Sequence, residues 1–367
     1  MTRSWPTVAV VVEQLRRRAP GGIGTYASGL VGGLTRMAEC PDGGPAVRLV
    51  ASRWAGSGTD PLVALGWPVE ASLLPGPLLS RAWDRGALRG PRGVDVVHAT
   101  SLLTPPAGGP PLVVTVHDLL WRDHPEAYPA RGRAWHEAAL RRALRRADAF
   151  IVPSRPVADR LADAGADPAS VTVIGLGSDH LPAPDPASER RLRERLGIGG
   201  PFVLSVGTLE PRKNLGRVVA AYRSVRHRLP GRWPLVVAGP GGWGDGVPGG
   251  DGVVLAGRLD DGELAAAYRW CRLLCYVPLA EGFGLPPLEA MAAGAPVVAS
   301  PLPSTGEAAF VVDPLDVEAI AAGLLQVASD DAVRARLIEA GRAHAARHRW
   351  LDTAAAHAEI YAEVASR

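Results

Sequence analysis

Leu273-Leu-Cys-Tyr-Val277-Pro-Leu-Ala-Glu281-Gly-Phe-Gly-Leu-Pro-Pro-Leu-Glu289 carries the pattern that decides the fold. Leu273–Val277 is apolar without polar alternation, which reads as a strand buried on both faces of a sheet. Pro286 and Pro287 suit the first turn of a helix, where backbone donors have no intrahelical partner, and the helix is expected over Pro286–Ala293. A buried strand, a glycine-rich loop and a helix in succession make one unit of a parallel α/β sheet.

The unit recurs outward in both directions. Strands are expected at Val8–Val12, Val47–Ala51, Val94–Ala99, Leu112–His117, Ala149–Val152 and Val171–Ile174, with helices at Gly24–Met37 and Arg133–Arg146. A second series follows at Phe202–Val206, Leu235–Ala238, Val253–Ala256, Leu273–Val277, Pro296–Ala299 and Phe310–Val312. Its helices are expected at Leu215–Arg228, Asp261–Cys271, Asp316–Ser329 and Asp331–His348. Between the series, residues 182–190 place three prolines in five residues and read as a linker. The class is therefore α/β, with two doubly wound parallel-sheet, Rossmann-like domains in tandem. Their ligands are expected outside the carboxyl ends of the strands, in a central cleft.

Composition narrows the function. A net charge of +3 over 367 residues is too small to point to nucleic acid. The excess falls in residues 1–185, which hold 20 Arg/Lys against 17 Asp/Glu, whereas 186–367 hold 20 of each. Cys40, Cys271 and Cys275 form neither a disulfide framework nor a zinc pattern, and a reducing cytoplasm suits them. The apolar run Thr7–Val12 is too short for a signal peptide or a membrane span. In Arg133–Arg146, Trp135, Leu140 and Leu144 share a face while Arg141, Arg142, Arg145 and Arg146 crowd the other. That pattern suits a basic helix resting on anionic membrane at the cytoplasmic side, or a solvated helix packed on its own sheet.

Of the 40 basic residues only Lys213 is lysine, and its neighbour Asn214 is the only asparagine. A coding bias against both types that spares adjacent positions points to a role there. They end Gly207-Thr-Leu-Glu-Pro-Arg212-Lys213-Asn214, a strand-to-helix turn in which two cations suit a diphosphate. In the Glu281–Glu289 stretch, the free N–H groups of Gly284 and Leu285 suit an anion. Glu281 falls in the loop and Glu289 near two turns into the helix, so the pair does not flank one bond as in a glycosidase. Weaker candidates are Gly21-Gly22-Ile23-Gly24 before the first helix, His117-Asp118 and His98 at strand ends, and Gly257-Arg258.

Together these stretches resemble the large retaining glycosyltransferase family 4, which has the GT-B fold. Glu281–Glu289 matches its E-x7-E motif. Gly-Gly-Ile-Gly, His117-Asp118, Ala149-Phe-Ile-Val-Pro-Ser154 and Gly207-Thr through Arg212-Lys213-Asn214 agree in order, over about residues 8–360. The resemblance implies an acceptor-side domain of residues 1–183, joined by a C-terminal helix within 350–367 that crosses back to it, and a donor domain of 184–349. It implies that Arg212 and Lys213 hold the donor diphosphate, beside Gly207 and Gly22. Glu289 would bind the ribose. Glu281 would bind the transferred sugar, with Gly282, Phe283, Gly284 and Leu285 nearby. His117 would contact the sugar and the reacting centre, Arg258 and Leu259 would border the base, and Asp118, Gly24 and His98 would lie on the acceptor side. One departure is Pro303-Ser-Thr-Gly-Glu307, where the family often has Pro-Glu-Val-x-Gly-Asp-Ala; Glu307 is assigned no role.

The expected activity is transfer of a hexose with retention, from a nucleotide-diphosphate sugar to a glycan, lipid-linked or small-molecule hydroxyl. The stretches at 96–106 and 114–119 resemble mannosyltransferase-like branches, so GDP-mannose is the favoured donor. No cofactor or metal is expected: nothing resembles a D-x-D site, and the cations with the Pro286 helix terminus can stabilise the leaving diphosphate. Two alternatives share the architecture, a nucleotide-sugar 2-epimerase and a non-catalytic nucleotide-sugar-binding protein.

Overall fold

The computed structural model describes residues 4–17, 20–106, 108–242 and 249–367; Met1, Thr2 and Arg3 of the amino-terminal stretch lie outside it. The chain divides into two compact units, Met1–Gly177 with Trp350–Arg367, and Ser178–Arg349.

The first unit holds β1 (Thr7–Val11), β2 (Ala46–Ala51), β3 (Val69–Ala71), β4 (Val96–Ala99), β5 (Leu112–Thr115), β6 (Ala149–Val152) and β7 (Val171–Val173). They form one sheet in the order β3-β2-β1-β4-β5-β6-β7, with every pairing parallel. Side chains alternate across a strand. On one face Ala9, Val11, Val97, Ala99, Val114 and Phe150 pack with Leu79, Trp83, Leu140 and Leu161 from helices Gly76–Asp84, Ala130–Arg146 and Arg155–Asp163. The opposite face carries His98 and Thr115, which meet Tyr26 of helix Gly21–Ala38 and Tyr361 of helix Trp350–Ala365.

The second unit repeats the plan with β8 (Val203–Val206), β9 (Leu235–Ala238), β10 (Val253–Gly257), β11 (Leu273–Tyr276), β12 (Val297–Ala299) and β13 (Phe310–Val311). Their order is β10-β9-β8-β11-β12-β13, again parallel throughout. One face packs Val203, Val237, Leu273, Cys275 and Val298 against helices Leu215–Val225 and Val317–Ser329. In each sheet the strand order reverses beside the first strand, between β1 and β4 and between β8 and β11. Such reversals leave a crevice at the carboxyl edge where loops diverge.

Three sequence expectations change. The linker expected at 182–190 is half helix: Pro186 opens helix Pro186–Leu196, and Asp185 caps it by accepting from the N–H groups of Ala187 and Ser188. A proline that breaks a helix interior is at ease at its first position. β3 lacks the apolar run that marks the inner strands, because it is a short, largely exposed edge strand. The first helix begins at Gly21 and not at Gly24.

The C-terminal helix belongs to the first unit, where it packs on helix Gly21–Ala38. Trp350 is 1% exposed and lies over Gly29. A Cβ at Gly29 would sit 2.2 Å from the Trp350 ring, and one at Gly33 would sit 2.3 Å from the Trp350 carbonyl oxygen. At Gly33 the obstacle is backbone, so the helices must part to admit a methyl. Gly33→Ala is expected to lower unfolding stability by about 2 kcal/mol, read as a shift in the urea midpoint; an unchanged midpoint would contradict this packing.

Candidate active site

The loops after β8 and β11 leave neighbouring strands at the reversal, which brings their side chains together. Pro211–Lys213 form a single turn, and Asn214 follows in the left-handed region, at φ 58°. Asparagine tolerates that conformation better than most residues. Its amide donates to the carbonyls of Val277 at 2.9 Å and Pro314 at 2.7 Å, and its side-chain oxygen accepts from Arg217. The lone asparagine thus latches the β8 loop to the end of β11.

Lys213 points back across this latch. Its ammonium donates to Glu281 Oε1 at 2.5 Å and to the Tyr276 hydroxyl at 2.9 Å. Arg212 Nη1 reaches the same Glu281 oxygen at 2.8 Å, and the Tyr276 hydroxyl donates to it at 2.8 Å. Arg212 also donates to the Ala280 carbonyl and to Glu210. Burial alone would raise the Glu281 carboxyl, but the charges of Lys213 and Arg212 and the hydrogen bonds from Lys213 and Tyr276 bring it down to about 2. Residues read in the sequence as a phosphate clamp and a separate sugar contact are one ion-paired cluster. Two cations face two carboxylates, Glu281 and Glu210, so the cluster is balanced, with both cations held at the carboxyl edge of the sheet.

Helix Leu285–Ala293 begins beside this cluster. Its N-cap, Gly284, has φ 96° and supplies no side-chain cap. A side chain there would be strained, and its Cβ would lie 2.9 Å from Ser304 Oγ. Ser304 belongs to the stretch that departs from the family pattern, and its N–H donates to the Phe283 carbonyl. Pro286 and Pro287 bring no N–H, so Leu285 supplies the first backbone donor of the helix. Glu289 sits one turn into the helix, nearer its start than the sequence suggested, and is 7% exposed. The Tyr268 hydroxyl donates to its Oε2 at 2.7 Å, and His180 Nε2 lies 3.3 Å from its Oε1. Arg258 is exposed and Leu259 buried just past β10, two strands from β8 at the same sheet edge.

In the first unit, His117 Nε2 donates to the Thr100 carbonyl at 2.8 Å, and its ring meets Tyr26 edge-on at 4.7 Å. Burial lowers the His117 pKa, so the ring is neutral and Nδ1 remains an acceptor. Asp118 accepts from the Leu120 N–H in a local turn. Gly22 is exposed, while Gly24 is buried against Pro20. His98 is fully buried, with Nε2 on Thr115 and Nδ1 on Tyr361. It is a core histidine, and the acceptor-side role expected of it falls away. Arg142 pairs with Asp84 and Arg146 reaches the Pro105 carbonyl, so Arg141 and Arg145 alone of the four arginines are exposed. The basic face is half as large as the sequence suggested.

Tyr276, Tyr268 and His180 escaped the sequence reading. Tyr276 could have been found, since it ends a parallel strand at the ligand edge. His180 and Tyr268 are far from Glu289 in sequence, and no spacing announces them. Among the described residues, no group of three or more His, Cys, Asp or Glu is arranged to hold a metal ion, and no helix is long and apolar enough to cross a membrane.

Two family models match in tandem: "Glycosyltransferase Family 4" over residues 20–180 and "Glycosyl transferases group 1" over 188–344. The chain is 33% identical to O-antigen chain mannosyltransferase B of Escherichia coli over 217 residues, 55% of this chain and 57% of that protein. It thus spans little more than half of that relative's length. It is 28% identical to the GDP-mannose-dependent alpha-(1-6)-phosphatidylinositol monomannoside mannosyltransferase of Mycolicibacterium smegmatis over 314 residues, 76% of each chain. Among solved structures it resembles Anabaena HepE in complex with UDP and glucose, with a TM-score of 0.71 and 19% identity, over 97% of this chain and 99% of that one. That last likeness is one of fold.

The Glu281 cluster generates a pH prediction. With its carboxyl at about 2 in the folded chain against an ordinary 4.5, Glu281 contributes stability that is complete above pH 4.5 and is lost as pH falls toward 2. The contribution is on the order of 3 kcal/mol. Wild type and Glu281→Gln should therefore differ most in urea midpoint near neutral pH and converge as pH falls from 4.5; a gap independent of pH would contradict the cluster.

Proposed function

Because the chain belongs to the family 4 glycosyltransferases, we propose that it is a retaining hexosyltransferase that moves mannose from GDP-mannose to a glycan, lipid-linked or small-molecule hydroxyl. The observation that carries this reading is the pair of cations, Arg212 and Lys213, held by Glu281 and Glu210 beside the uncapped start of helix Leu285–Ala293. The mannosyltransferase relatives support the choice of donor.

Breaking the sugar–phosphate bond leaves positive charge on the sugar and a second negative charge on the departing diphosphate. Fixed donors that face developing charge lower such a barrier without reorganising. Lys213, Arg212 and the backbone donors around Gly284 and Leu285 would meet the diphosphate, and the two cations would do so without a metal ion. Lys213 has three N–H donors, of which two are placed on Tyr276 and Glu281, so its ammonium can take a phosphate oxygen without abandoning both partners. Glu281 would accept from hydroxyls of the transferred sugar, and Glu289 from the ribose. Their separate partners suit two grips on an extended ligand better than a pair flanking one bond. The neutral His117 would offer Nδ1 to a sugar hydroxyl. Three free cysteines, two of them buried, suit a reducing compartment such as the cytoplasm. Any contact with an anionic membrane would rest on Arg141 and Arg145, each adding about 1 kcal/mol of attraction.

The test is a transfer assay with GDP-mannose and a panel of glycan and lipid-linked acceptors, run in EDTA. Wild type should transfer with retention, and folded Lys213→Ala should lose about 10²-fold in rate. Near-native turnover by the variant, or activity that vanishes on chelation and returns with magnesium or manganese, would overturn this assignment of the site. Donor consumption without any acceptor would favour the epimerase alternative.

A further inference from the structure

Glu289 is the only polar residue in the helix Leu285-Pro-Pro-Leu-Glu-Ala-Met-Ala-Ala293 and is almost fully buried. A carboxylate in such a place is costly unless every oxygen is paired or has a purpose. Among the described residues, each of its oxygens has one protein partner. Tyr268 donates to Oε2 at 2.7 Å, from a helix, Asp261–Trp270, whose start is fixed by a capping box of Asp260 and Glu263. Tyr268 is itself fully buried, so its hydroxyl cannot turn to water. On the other side, His180 stands 3.3 Å from Oε1, on the first residues of the second unit. A carboxylate accepts about four hydrogen bonds. Held once at each oxygen, it cannot rotate about its terminal bond without losing both contacts, and each oxygen keeps capacity for a further donor.

That arrangement fits a ligand with two adjacent hydroxyls, which needs both oxygens in a fixed plane. We propose that Tyr268 and His180 are positioning residues that lock the Glu289 carboxylate for two-point recognition of the ribose 2′- and 3′-hydroxyls, and so set discrimination against 2′-deoxyribose. The proposal rests on the reading above that Glu289 receives the donor ribose. Tyr268 and His180 do not touch the ligand; they act through Glu289. Loss of either lets the carboxylate turn, so that one hydroxyl can still be held but not both in register.

The test measures dissociation constants of UDP, GDP and ADP and their 2′-deoxy counterparts by calorimetry, on the full chain and its variants. For the tightest of the three, wild type should prefer the ribo form by at least tenfold. Tyr268→Phe keeps the ring and removes only the donor; with His180→Ala, it should cut that preference to about threefold or less. His180→Gln, which restores a donor amide, should recover most of it. A merely structural role would weaken ribo and deoxy forms equally and leave the ratio unchanged, and that result would overturn the proposal. His180 is partly exposed, so its variants read the ratio even if Tyr268→Phe fails to fold. Glu289→Gln separates the two claims. If it also keeps the wild-type ratio, Glu289 does not receive the ribose, and the reading beneath the proposal fails. If it abolishes the preference while Tyr268→Phe and His180→Ala preserve it, only the positioning claim fails. Absence of binding by all three nucleotides would overturn both.

Discussion

One carboxylate oxygen, Glu281 Oε1, organises the second unit's ligand edge. It accepts from Lys213, Arg212 and Tyr276 at once, and in doing so joins the loop after β8 to the loop after β11. Backbone contacts tether the loops at Leu209–Gly241 and between the Leu279 N–H and the Arg212 carbonyl, but two adjacent cations would drive each other apart without a shared counter-charge. Removing one member of such a buried set leaves uncompensated charge, at a cost of roughly 3–5 kcal/mol. The same pairing holds two cationic side chains, balanced by Glu281 and Glu210, beside the free donors of a helix start. Structural need and the placement of donors for an anion therefore have one origin.

The first unit uses buried polar groups differently. His357 Nδ1 lies 2.7 Å from the Thr353 carbonyl; a carbonyl only accepts, so that nitrogen carries the proton. Burial holds the His357 pKa down at about 4, so Nε2 is an acceptor and Tyr26 donates to it at 2.7 Å. Thr115 must then donate to Tyr26, His98 Nε2 to Thr115, and Tyr361 to His98 Nδ1. Every donor in this chain has one direction, and each link requires neutral histidine. The chain ties the C-terminal helix to β4, to helix Gly21–Ala38 and to β5, whose last residue, Thr115, lies two residues before His117. A fully satisfied network of this kind fixes one packing where apolar contacts alone would tolerate several.

Much of this was legible from residue types. The inner strands announce themselves because a strand buried on both faces must be continuously apolar, and the Glu281–Glu289 stretch because a double proline and two glycines have few other uses. The singleton Lys213-Asn214 pair drew attention for a statistical reason, and the two residues prove to have different physical ones: a charge partner for Glu281 and a left-handed turn with three side-chain hydrogen bonds. What stayed hidden depends on distance in sequence. His98 looked like a ligand-edge residue until Tyr361 reached it from 263 positions away. Arg142 and Arg146 looked free for a membrane until Asp84 and Pro105 engaged them. Pro186 stayed hidden for a local reason: a proline reads as a breaker unless the Asp185 before it is seen to cap a helix.

The roles of Arg212, Lys213 and Glu289 depend on where a nucleoside diphosphate binds. A crystal structure of the chain with GDP tests this most directly. The predicted density has the phosphates between Arg212, Lys213 and the backbone at Gly284 and Leu285, with the ribose hydroxyls on Glu289. Phosphates elsewhere on the second unit, with the Glu281 ion pairs undisturbed and no ligand at the start of helix Leu285–Ala293, would contradict it.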